Sequence, residues 1–176
     1  MGIGLTQQQQ ATIGVPATVE VTSPWAIVET VLTLDTNAYA QNDLLADTQI
    51  LTGPCLNDNP AVLYSMQVLD EDDQGRAIDI LILRSSQSLG AENDPFAPAV
   101  AAAREIVAEI PILAAEWVDY TNSRQVWKRV DDDGMGELLQ PTTGDDLYIA
   151  AVMRDAVGGT YTASGIRVRT KWFQQY

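Results

Sequence analysis

Histidine is absent from the 176-residue chain, and cysteine occurs once, at Cys55. Without histidine there is no Ser-His-Asp or Cys-His nucleophile system, no imidazole metal site and no histidine pH switch. A lone cysteine excludes an internal disulfide and a multi-cysteine zinc site. Lysine and arginine are missing from the first 75 residues, which carry ten acids; all ten basic residues lie from Arg76 onward, with the other 14 acids. The net charge of −14 thus divides into −10 and −4. Such a field repels phosphate backbones, so direct nucleic-acid binding is not expected. No run approaches the ~20 apolar residues of a membrane-spanning helix. The opening "MGIGLTQQQQATIGVPA" has no basic start and no apolar core, so neither a secretory signal nor a membrane partner is expected. A Gly-rich phosphate loop, a dinucleotide fingerprint and a Gly-x-Ser-x-Gly elbow are all missing. The chain therefore reads as a non-enzyme that requires no cofactor.

What is present suits a β protein. Hydrophobic residues make up 46% of the chain, enough for a core. Residues 1–14 are Gln-rich and aperiodic and read as a flexible arm, with Gln7, Gln8, Gln9 and Gln10 as candidate partner contacts. Residues 15–176 read as one domain. "ATVEVT", "WAIVETVLTL", "LLADTQIL", "AVLYSMQVL", "AIDILILRSS", "WVDYTNSRQVWKRV", "DDLYIAAVMRD" and "GIRVRTKWF" are strand-like, with turn residues between them. That count predicts a single β-sandwich, jelly-roll-like. "DEDDQGR" reads as a hairpin turn. One helix is predicted in "NDPFAPAVAAAREIVAEIP": Asn93 or Asp94 as cap, Pro95 in the first turn, and an apolar stripe through Phe96, Val100, Ala103, Val107 and Ile110. Pro111 is expected to stop it, and the stripe to pack over an open end of the sandwich.

Candidate chemistry is sparse. Asp70, Asp72, Gln74 and Gly75 match early positions of a calcium loop, but Leu81 stands where the bidentate Glu is needed, so a solvated turn is the better reading. "DDDGMG" at residues 131–136 has the same standing. No local signature selects a glycosidase carboxylate pair among the 24 acids. Trp25, Trp117, Trp127 and Trp172 read as core or interface anchors rather than a sugar platform. In the last strand Arg167, Arg169 and Lys171 alternate with Ile166, Val168, Thr170 and Trp172. A basic strand face in an acidic protein suits an acidic neighbour, either the chain's own N-terminal half or another subunit.

Three segments carry a family resemblance. "LDTNAYAQNDLLADTQI" contributes Thr36, Ala38, Tyr39, Ala40, Asp43, Ala46, Asp47 and Thr48. "LILRSSQSLGAENDPF" contributes Leu83, Ser85, Ser88, Leu89, Gly90, Ala91, Glu92 and Asn93. "LYIAAVMRDAVGGTYTASGIRVR" closes the set. Together they resemble the capsid decoration, or cement, proteins of tailed bacteriophages. The resemblance implies a structural protein made in the host cytoplasm and placed on the outer capsid surface of the virion. There it would bind the major capsid protein, cement neighbouring subunits and form homotrimers. A tail or neck component and a virion-surface carbohydrate-binding module remain as alternatives. "TNAYAQND" itself reads as a structural crossover between strands, with Tyr39 anchoring the bend.

Overall fold

The structure, a computed structural model, describes residues 23–175. The expected strand "ATVEVT" and the Gln-rich arm lie outside the described residues. Ten strands follow: β1 (Trp25–Leu32), β2 (Leu44–Leu51), β3 (Ala61–Asp70), β4 (Ile78–Leu83), β5 (Ile106–Ile112), β6 (Val118–Asp119), β7 (Arg124–Arg129), β8 (Leu138–Leu139), β9 (Leu147–Met153) and β10 (Ile166–Gln174). They form two antiparallel sheets, one ordered β1-β10-β3-β7-β6 with β8 also on β3, the other ordered β2-β9-β4-β5. Setting aside the two-residue strands β6 and β8, the first of the remaining eight pairs with the last, β1 with β10. The second then pairs with the seventh, the third with the sixth and the fourth with the fifth: β2 with β9, β3 with β7, β4 with β5. This is the pairing of a long hairpin rolled into two facing sheets, a jelly roll. The predicted β-sandwich is what the chain forms.

Period-two alternation explains the core. Val68, Ile166, Val168 and Trp172 of the larger sheet meet Ile80, Ile82, Ile149 and Ala151 of the smaller one. Strand β4 is buried at every position because its other face is covered too. Leu81 and Leu83, with Ala150 and Val152 of β9, pack under Leu89, Phe96, Ala102 and Ile106. The segment between β4 and β5 thus lies across the outer face of the smaller sheet.

Two sequence expectations are corrected here. The helix is only α1 (Val100–Ala103), not the 18 residues from Asn93 to Ile110. Pro95 and Pro98 interrupt its N-terminal half, and "IVAEIPI" becomes β5, with Ala108, Ile110 and Ile112 buried at period two. Pro111 does not stop a helix; it sits opposite Asp79 on an edge strand, where a missing N–H is tolerated. The covering segment also lies on a sheet face rather than over an open end. The second correction concerns "DEDDQGR". It is no hairpin, because β3 and β4 belong to different sheets. The buried Asp70 carboxylate accepts from the Asp72 and Gly75 N–H groups at 3.0 and 2.7 Å and turns the chain across. Asp72 accepts from Thr162 N–H at 2.7 Å and Asp73 pairs with Arg124 at 2.8 Å, so these acids organise a crossover.

Candidate functional site

The three segments of the resemblance meet in space. The Asp47 carboxylate accepts from the Ser88 hydroxyl at 2.8 Å and from Leu89 N–H at 2.7 Å. Asn93 N–H donates to Leu44 C=O at 2.9 Å, and Tyr39 N–H donates to Gly159 C=O at 3.0 Å. The Tyr39 ring stands edge-on to Tyr161 at 6.2 Å. Its hydroxyl accepts from Asp35 N–H at 2.6 Å and lies 3.0 Å from the Leu45 carbonyl. Burial raises this hydroxyl far above its ordinary pKa, so it stays protonated and can donate. "TNAYAQND" therefore joins β1 of one sheet to β2 of the other with Tyr39 as its anchor. The seam is a structural device.

The outer face of the larger sheet is different. The smaller sheet has part of its outer face covered by the segment between β4 and β5, with Ile50 of β2 left exposed; the larger sheet carries a cluster of exposed apolar side chains. Trp25, Ile27, Tyr64, Trp127 and Phe173 are all exposed, Ile27 at 60% and Trp127 at 55%. The ladders place them side by side: Ile27 opposite Lys171, Lys171 opposite Ser65, and Arg169 opposite Gln67, which faces Trp127. Trp25 meets Tyr64 and Phe173 edge-to-face at 5.0 and 5.1 Å.

The three basic residues of β10 do share this face, but in three settings. Arg167 donates to Glu29 at 2.9 Å and to Glu71 at 3.1 Å, and these carboxylates, Glu29 foremost, raise its pKa further. Its acidic neighbour is the chain's own N-terminal half. The Lys171 ammonium sits 4.2 Å from the Trp25 ring centroid and 5.6 Å from that of Tyr64, a cation–π contact with both. Arg169 is exposed and makes no ion pair among the described residues. It lines a shallow depression of about 170 Å³ with Ile27, Ser65, Gln67, Trp127 and Lys171. Gln7, Gln8, Gln9 and Gln10 lie outside the described residues.

Sequence reasoning missed the apolar half of this face. Of the four tryptophans, Trp172 and Trp117 are buried, while Trp25 and Trp127 point outward. In "RQVWKR" the inward residues are Val126 and Lys128, and the Lys128 ammonium is held at 2.6 Å by Glu116. The alternation around Val126 was the available signal.

No family model matches the chain, and no curated protein matches it. Among solved structures, a chain of Desmodium yellow mottle tymovirus is similar over 90% of this chain and 84% of that chain, at 9% sequence identity and a TM-score of 0.28. A superposition that loose establishes neither fold nor role, so the sandwich assignment rests on the strand pairing above.

Proposed function

We propose that the protein is a structural, non-catalytic virion component that binds the outer surface of an assembled phage capsid and cements neighbouring major capsid subunits. The observation that carries this reading is the outer face of the larger sheet, which no described segment covers, with Trp25, Ile27, Tyr64, Trp127 and Phe173 exposed beside Arg169. Aromatic residues and arginine are the anchors of protein interfaces, and a cluster of them on one rigid sheet fits docking onto a preformed surface. The resemblance of the seam segments to decoration proteins supports the capsid as that surface and the homotrimer as the docked form. The mechanism is mass action: a protein that binds the assembled lattice and not its dissociated subunits stabilises the lattice by RT ln(1 + [L]/Kd).

The test uses capsids assembled from the major capsid protein of the virus that carries this gene. Purified protein should co-sediment with them and raise their melting temperature, and Trp127→Ala with Ile27→Ala should abolish both effects. Sedimentation of the capsids without bound protein would refute the reading. A carbohydrate-binding module is the second reading, favoured by the open Trp127 ring; Trp25 is less available because Lys171 covers it. Glycan binding in the absence of capsid binding would establish that alternative.

A further inference from the structure

We infer that the depression around Arg169 is an anchor for a single carboxylate side chain on an acidic segment of the docked protein, with Ile27 and Trp127 packing against the apolar residues that flank it. The inference rests on the docking reading for the face and adds the chemistry of what the face takes.

The argument begins with how the cations are used. Arg84, Arg124, Lys128, Arg154 and Arg167 all have carboxylate partners within the chain. Lys171 is engaged by Trp25 and Tyr64. Arg169 is directly opposite Glu29 in the β1–β10 ladder, yet the Glu29 carboxylate is taken by Arg167. Arg76, Arg104 and Arg129 also make no ion pair among the described residues, but the guanidinium that lines the depression beside Ile27 and Trp127, on the apolar sheet face of a molecule of net charge −14, is that of Arg169.

Size and charge then select the occupant. Ligand pockets for cofactors and drug-sized molecules run from about 300 to 1,000 Å³. The depression of about 170 Å³ is below that range and suits one side chain. A guanidinium fork matches a carboxylate with two parallel hydrogen bonds. Ser65 and Gln67 on the neighbouring strand supply further polar groups at the rim. Ile27 and Trp127 line the depression, so a segment docked against them would exclude water from the site and strengthen the contact. A polyanion is disfavoured, because each added phosphate meets the field of the whole molecule, whereas one carboxylate is held at short range.

The experiment follows the Trp127 indole and Arg169 side-chain resonances by nuclear magnetic resonance on the full chain. The probes are a short peptide in which glutamates flank a leucine, the same peptide with glutamines, and a single-stranded thymidine oligonucleotide. The glutamate peptide should shift both resonances saturably, and the glutamine peptide should not. Arg169→Gln should weaken binding about tenfold. Arg84→Gln should leave it unchanged, since that side chain is paired with Glu105 away from this face. Equal responses to the two peptides, unchanged affinity in Arg169→Gln, or saturable binding of the oligonucleotide at this site would each overturn the inference. Capsid decoration separates the two claims. If the wild type ignores capsids but the peptide response depends on Arg169, the anchor stands and the docking reading fails. If the wild type decorates and Arg169→Gln decorates equally across a salt series, the docking reading stands and the anchor fails.

Discussion

Changing Tyr39 to Phe removes one oxygen from the crossover and leaves its ring in place. That oxygen accepts from Asp35 N–H at 2.6 Å, lies 3.0 Å from the Leu45 carbonyl and lies 3.1 Å from the Asp35 carbonyl. Its single proton serves one carbonyl at a time. Leu45 is fully buried, so water does not readily replace the lost donor at its carbonyl, whereas Asp35 is only part-buried. A stranded buried acceptor costs about 1–3 kcal/mol, and a net hydrogen bond about 0.5–1.5 kcal/mol. The substitution should therefore cost about 2–3 kcal/mol. For a domain of this size each kcal/mol shifts Tm by about 2–4 °C, so the midpoint should fall by about 4–12 °C. Urea unfolding should show an unchanged slope with a lower midpoint, because the surface exposed on unfolding stays the same. A loss below about 0.5 kcal/mol would refute the reasoning, since it would mean that the hydroxyl does not organise the bend.

The other expectations contrast the core, the exposed face and the charged groups. Trp172→Ala should cost about 3–5 kcal/mol in urea unfolding, whereas Trp127→Ala should stay within about 0.5 kcal/mol. Equal costs would contradict the inward and outward assignment of the two rings. Gly134 has φ +73°, and a Cβ there would meet the Glu109 carbonyl oxygen, so Gly134→Ala should destabilise by at least about 1 kcal/mol; a neutral result would contradict the turn geometry. Burial raises the Asp70 and Glu92 carboxyls, and a hydrogen bond shared with Asp79, followed by burial, raises Glu109. Groups held above their ordinary values add stability as pH falls through those raised values towards 3.8 for Asp and 4.5 for Glu. Glu105 is lowered, first by its bond from Arg84; at Glu116, burial pushes the carboxyl up but Lys128 and the Leu113 N–H outweigh it. Their contribution is present above 4.5 and is lost as pH falls through their lowered values. The urea midpoint should therefore rise as the pH is lowered from neutral towards 4.5, and a steady loss of midpoint as the pH is lowered over that range would contradict these shifts.

Much of the fold was legible because alternation is a local property. "LLADTQIL" is β2 residue for residue, and "GIRVRTKWF" alternates in burial as its pattern predicts. The helix was misjudged because "IVAEIPI" satisfies both a 3.6-residue stripe and a two-residue alternation over so short a run. Tertiary pairing with β4 decides between them, and that information is not local. The hairpin at "DEDDQGR" failed for the same reason: turn residues mark a reversal but not which sheet receives the next strand. At the candidate face, the basic stripe was visible because its three cations fall in five residues. The aromatic half was not, because Trp25, Tyr64, Trp127 and Phe173 come from four strands and are assembled only by the order β1-β10-β3-β7.

A cryo-electron reconstruction of capsids incubated with the protein tests the docking face most directly. The outer shell should carry density for the jelly roll, with Ile27, Trp127 and Arg169 covered by capsid subunits and the smaller sheet turned to solvent. Density that places those three side chains in solvent, or a shell with no added density, would contradict it.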